Sequence, residues 1–218
     1  MKDKFQVRWV DIKPESPIIT VSPETIANEV SVNIDYIGNN ISQKLYQIID
    51  ENGVASSWLP YNGEFKLNHK GTIRARSINN KNIKSLVLEY IVNNVDTEIP
   101  TIELTGVPTK EVRRFSLNIK TTDDVGLKTL KYAYGEYDIN YFKENGEILY
   151  DLESQNTKSQ TNSLEIDTNG KITFYVIDQA GNEKVEILDV GDVIKLVLLP
   201  GDGENGIWRD SVNNEESK

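Results

Sequence analysis

Gly71-Thr-Ile-Arg-Ala-Arg-Ser-Ile-Asn79 returns 99 positions later as Gly170-Lys-Ile-Thr-Phe-Tyr-Val-Ile-Asp178. Each copy opens on a glycine and then alternates. Ile73, Ala75 and Ser77 oppose Arg74 and Arg76 in the first, and Ile172, Phe174 and Val176 mark one face in the second. Period two over such a stretch predicts a strand with one face in a core. Upstream, Val30-Ser-Val-Asn-Ile34 recurs as Phe115-Ser-Leu-Asn-Ile119 and Leu45 as Leu130, both at an offset of 85. Pro17-Ile-Ile19 recurs as Pro100-Thr-Ile102 at 83. The order is kept and only the spacing grows, so the chain reads as a tandem pair of β units of ordinary domain size.

Composition agrees with strands. The 218 residues include 24 Ile and 18 Val against 16 Leu and 5 Ala, with 14 Gly, 7 Pro and 22 Asn to make turns. β-branched side chains suit a pleated, half-buried surface, whereas Ala and Leu favour helix. Asn52-Gly53 and Asn62-Gly63 are hairpin signals, because both residue types accept positive φ. Phe5–Val10 also alternates and reads as a short strand. The expected division is an N-terminal strand and linker over 1–15, one domain over 16–96 and a second over 97–190. Residues 191–218 then hold an apolar strand, or the opening of a third repeat, and a disordered acidic tail.

Charge separates the two units. Residues 1–96 hold 11 Lys+Arg and 11 Asp+Glu, so the net charge of −10 falls entirely after them. An acidic chain is a poor candidate for binding nucleic acid, which requires a basic surface. No stretch has membrane-spanning length, and Met1-Lys-Asp-Lys-Phe-Gln-Val-Arg has no apolar signal region. Without cysteine there is no disulfide framework. With His69 as the single histidine, neither a cysteine- or histidine-based nucleophile–base pair nor a tetrahedral zinc set is available. No glycine-rich phosphate loop precedes a helix. The expectation is a protein that is not an enzyme.

Strands every eight to twelve residues with turn chemistry between them suggest antiparallel immunoglobulin-like sandwiches. The segment Tyr46-Gln-Ile48, Trp58-Leu-Pro-Tyr61-Asn-Gly-Glu-Phe65-Lys-Leu67 and Gly71-Thr-Ile-Arg-Ala-Arg76 resembles the Ig-like C-terminal module of bacterial chitobiases and hexosaminidases. The second unit is similar to bacterial Ig-like repeats through Asp123-Asp-Val-Gly-Leu-Lys-Thr-Leu-Lys-Tyr132 and the Gly170–Asn182 stretch. It lacks the Trp-x-x-Tyr-x-Gly pattern of the first. Such modules occur in bacterial surface proteins and phage tail proteins. The resemblance implies spacer, interaction or adhesive roles and brings no catalytic residues.

Four groups of residues are candidates for function. Trp58 and Tyr61, with Phe65, form a possible sugar-stacking platform, set against ordinary packing on their own sheet. Between Leu130 and Gly170 the second unit is 14 residues longer than the first, and insertions usually become surface loops. Tyr137, Tyr141 and Phe142 in this insertion are candidates for an exposed contact surface. Asp123, Asp124, Asp178 and Asn182 could converge as oxygen ligands for calcium, although aspartates in turns usually cap their own backbone. Val193, Leu196 and Leu198 lie in the most apolar run and suit a strand exchanged with a partner. The expected role is a structural or adhesive spacer of a bacterial cell-surface protein or a phage tail or virion assembly. Its partners would be other protein subunits or a surface receptor, and its setting extracellular or virion. A glycan-binding accessory module is the alternative.

Overall fold

The computed structural model describes residues 12–152 and 156–194, together with the backbone of Leu196–Leu199, Ile207–Asp210 and Glu216–Ser217. The expected Phe5–Val10 strand and the side chains of Leu196 and Leu198 lie outside the described residues. The chain divides into two compact units, Met1–Thr97 and Glu98–Lys218.

In the first unit, strands β1 (Ile18–Ser22), β2 (Val30–Asp35) and β5 (Phe65–Leu67) form one antiparallel sheet in the order β1-β2-β5. Strands β3 (Ile41–Asp50), β4 (Leu59–Pro60), β6 (Gly71–Asn79) and β7 (Leu88–Val92) form the other, ordered β4-β3-β6-β7. The chain turns after β3 because Gly53 takes φ +80° and the Asp50 carboxylate accepts the Asn52 and Val54 N–H groups. Val30, Val32 and Ile34 of β2 meet Ile73 and Ala75 of β6 between the sheets, all at most 2 % exposed. The sequence alternation is this interface, seen from both sides.

The second unit repeats the plan. Strands β8 (Thr101–Thr105), β9 (Phe115–Thr122) and β12 (Ser159–Ile166) make one antiparallel sheet, ordered β12-β9-β8. Strands β10 (Leu127–Tyr134), β11 (Glu147–Asp151), β13 (Gly170–Asp178) and β14 (Glu183–Val190) make the other, ordered β11-β10-β13-β14. Leu117, Ile119, Leu130, Ile172, Phe174 and Val176 fill the interior. The matched stretches at 71 and 170 are the same strand of the two sandwiches. The fold is two tandem immunoglobulin-like antiparallel β-sandwiches. Their fourth strands, β4 and β11, pair with β3 and β10, which gives a three-plus-four division in place of the four-plus-three of constant-type immunoglobulin domains.

The insertion is only partly a loop. It contains a short 3-10 helix, η1 (Ile139–Lys143), and it lengthens two strands. β11 has five residues against two in β4, and β12 has eight against three in β5.

Val193, expected on an interaction strand, is instead buried in the core of the second unit at 1 % exposure. It bridges in parallel to Val112. Its N–H donates to Asn169 Oδ1, and the Asn169 amide donates back to its carbonyl, both at 2.7 Å. An apolar side chain at this position closes the end of its own sandwich. Beyond it, β15 (Leu196–Leu199), β16 (Ile207–Asp210) and β17 (Glu216–Ser217) pair antiparallel in chain order.

Phe174 lies fully buried between the sheets of the second unit. Phe174→Ala should cost about 3–5 kcal/mol in urea denaturation. Ile148→Ala, at a side chain 59 % exposed, should stay within about 0.5 kcal/mol.

Candidate functional site

The candidate residues lie on the outer faces of the two four-stranded sheets, at one end of the second sandwich and, for Tyr61, between the sheets of the first unit. On β6, Ile73 and Ala75 point inward, so Arg74 and Arg76 point out. Arg74 Nε is paired with Glu89 of the neighbouring β7 at 2.6 Å. Arg76 lies over the indole of Trp58, its guanidinium carbon 4.0 Å from the ring centroid. A planar cation on the electron-rich ring face is attracted by the ring quadrupole, more so when desolvated. Arg76 Nε is buried there without a hydrogen-bond acceptor among the described residues.

Tyr61 faces the other way. Its hydroxyl donates to Asn33 Oδ1 at 2.9 Å and accepts the Ile34 N–H at 3.0 Å, which ties the two sheets together. Its ring belongs to an inter-sheet cluster with Tyr36, Tyr46 and Phe65, in which Tyr46 and Phe65 stack at 4.6 Å. Burial, and next the neighbouring Tyr61 and Tyr46, push the Tyr36 phenol above its ordinary range, and its hydroxyl donates to Leu45 O at 2.8 Å. Trp58 and Tyr61 therefore do not share a platform. The first packs outside its sheet and the second inside.

In the second unit the insertion lies across the corresponding outer face. Phe142 of η1 is 1 % exposed and stacks on Tyr175 of β13, with centroids 5.2 Å apart and planes within 5°. Lys131 of β10 donates to Phe142 O at 2.7 Å. Thr173 of β13 donates to Gly135 O at 2.8 Å, and Tyr137 N–H donates to Thr173 Oγ1 at 3.1 Å. Gly146 closes the segment at φ +92°, where a Cβ would stand 2.8 Å from the Phe142 ring. Phe142 is thus an anchor rather than part of an exposed surface, because its ring supplies the apolar cover that Tyr175 needs. Tyr137 and Tyr141 remain half-buried at the rim with stacked rings 3.8 Å apart, and Asp138 caps the helix through the Tyr141 N–H. Burial, and then its hydrogen bond to Glu183, raises the Tyr175 phenol.

Arg76 and Tyr175 are equivalent positions of the repeat, each covered by an aromatic ring from elsewhere in its own unit. Strict alternation in β13 did not announce this. The unbroken run Ile172-Thr-Phe-Tyr-Val-Ile177 was the available signal, since a strand covered on both faces loses its polar side.

At the end of the second sandwich the structure brings together three of the four candidate calcium ligands. Asp123 Oδ1 accepts the N–H groups of Val125 and Gly126 at 2.9 and 2.6 Å. Asp178 Oδ1 accepts those of Gly181 and Asn182 at 2.6 and 2.8 Å, and its Oδ2 accepts the Asn182 amide at 2.8 Å. Asp124 is exposed. Both buried aspartates are capping their own turns. Each also has a carboxylate oxygen within 4.8 Å of the other. Burial raises the Asp178 carboxyl above its ordinary 3.8, against the lowering effect of its hydrogen bonds, and the charge of Asp123 adds to the rise.

No protein-family model matches the chain, and no curated protein matches it. Among solved structures, fibronectin(III)-like modules of Clostridium thermocellum CbhA are similar at 13 % identity. The match covers 78 % of this chain and 91 % of that one, with a TM-score of 0.34. Dimeric latent PorU of Porphyromonas gingivalis is similar at 13 % identity and a TM-score of 0.26, over 90 % of this chain and 26 % of its own. The sandwich assignment rests on strand order and register, independently of these distant likenesses. Among the described residues, no helix is long and apolar enough to cross a membrane.

Asp178 gives a pH dependence of defined sign. A folded pKa above the unfolded value means that the native state holds the proton more tightly, so stability falls as pH rises. The penalty is absent below 3.8 and complete above the raised folded value. Asp123→Asn keeps an oxygen for the Val125 and Gly126 N–H groups while removing the charge. It should reduce the loss of stability between pH 4 and pH 7, measured by urea denaturation with and without calcium. If wild type gains stability from calcium and the variant does not, the pair is a cation site rather than two turn caps.

Proposed function

We propose that the chain is a non-catalytic structural and interaction module, a tandem of sandwiches that spaces and presents surfaces within a larger assembly. The observation that carries this reading is that each unit closes a complete seven-stranded sandwich around a core of its own. The aromatic residues that were candidates for ligand contact are largely engaged in packing. Tyr61 joins sheets, Phe142 anchors a helix and Trp58 lies against Arg76. The setting we favour is a bacterial cell-surface protein or a phage tail or virion assembly, outside the cytoplasm, with protein subunits or a surface receptor as partners.

A second reading, a glycan-binding accessory module, is favoured by the outward position of the Trp58 indole. A glycan array separates the two readings. Silence agrees with the spacer, whereas saccharide binding lost in Trp58→Ala without a change in melting temperature establishes the accessory module.

A spacer should also bear load one sandwich at a time. Pulling the full chain from its ends should give two unfolding events, lengthening it by about 250 Å and about 300 Å at roughly 3.5 Å per residue. A single event that releases the whole chain would contradict the reading.

A further inference from the structure

We infer that β12 is a docking edge at which a second copy of this chain adds antiparallel, joining two three-stranded sheets into one of six strands. This deepens the interaction-module reading and rests on it. An edge strand presents about half of its N–H and C=O groups to solvent, and folded proteins guard such edges with charge, proline, bulges or short length.

The other edges of the two sandwiches carry such guards. In the first unit, β1 has five residues between Pro17 and Pro23, and β5 has three residues including Lys66. β4 has two residues, one of them Pro60, and β7 has five with Glu89. In the second unit, β8 has five residues with Glu103, β11 is bulged against β10 between Leu130 and Lys131, and β14 has four charged residues in eight.

β12 is the least guarded of these edges, with one charge, Glu165, in eight residues. Its sequence, Ser159-Gln-Thr-Asn-Ser-Leu-Glu-Ile166, contains no proline, and it pairs with β9 over eight consecutive residues without a break. The corresponding strand of the first unit has only three residues, so the long edge is a product of the insertion. Midway along it, Asn162 donates its amide to Leu149 O at 3.3 Å. Its Oδ1 is buried with no donor among the described residues.

The sequence of β12 is compatible with itself. A two-fold axis through Asn162 sets Thr161 of one copy opposite Ser163 of the other, and Ser159 opposite Glu165. Facing residues in this register lie on the same side of the sheet. Hydroxyls then face hydroxyls, as Ser116 and Ser163 already do at 2.6 Å on the outer side of this sheet. Glu165 meets a serine, and like charges are not placed directly opposite each other, which would destabilise the pair. The net charge of −10 on each copy opposes approach at long range, and salt screens that repulsion over about 8 Å at physiological ionic strength. Association should therefore strengthen with salt, whereas an interface of ion pairs would weaken.

Sedimentation equilibrium of the full chain, from micromolar to millimolar at low and high salt, tests the proposal. The expected result is a monomer–dimer equilibrium that shifts toward dimer with salt. Thr161→Lys should weaken it at least tenfold, whereas Thr105→Lys, on the opposite edge of the same sheet, should leave it unchanged. Circular dichroism melts of both variants establish that they are folded. Because the chain lacks cysteine, a Thr161→Cys/Ser163→Cys double variant should form a covalent dimer on mild oxidation. A monomer at every concentration overturns the docking edge and leaves the spacer reading standing. A dimer indifferent to Thr161→Lys overturns it equally.

Discussion

Each sandwich depends on one strand paired on both sides: β6 between β3 and β7, and β13 between β10 and β14. Nine residues long in both units, this strand sets the register for its whole four-stranded sheet. Sliding it by one residue would turn Ile73 and Ala75, or Ile172, Phe174 and Val176, from the interior to the opposite face. Only one pairing is compatible with burial. The remaining strands take their places around that choice, and the core between the sheets follows from it.

The outer face of the same strand is where the two units diverge. Position 76 carries a guanidinium and position 175 a phenol, and each is covered by an aromatic ring brought in from the region after the third strand. In the first unit a single indole suffices, and the chain passes directly into a two-residue β4. In the second, a helix, a buried phenylalanine and a backbone acceptor for Lys131 are needed to cover tyrosine and threonine. The extra chain length is therefore tied to how that face is covered.

The parts of the fold governed by period two were legible in the sequence. Val30, Val32 and Ile34 announce β2, and Phe115, Leu117 and Ile119 announce β9, because a half-buried strand must alternate. Positive-φ glycines placed the turn after β3 in the same way. What alternation cannot show is a face covered by a distant segment. Phe142 reads as an exposed aromatic in a polar insertion because its partner, Tyr175, is 33 residues away in sequence. Val193 reads as part of a free apolar run because Asn169 and Val112, which hold it, have no local signature. The buried aspartates were legible as turn residues, but the closeness of their two carboxylates depends on two separate loops meeting.

The cover on the second unit has a consequence for the order in which the molecule comes apart. Phe142 and Tyr175 are absent from the interior cluster and touch each other outside it. The segment from Gly135 to Gly146 is held by one ring stack, the exposed Glu136–Lys171 ion pair and a few hydrogen bonds, while the sandwich beneath is held by its own core. Such a segment can lift away as a local opening at far lower free energy than global unfolding. The apolar surface uncovered in that state belongs to the middle of a strand already paired on both sides, so it offers side chains and no free backbone. Opening there exposes something to grip without exposing an edge that could propagate a sheet.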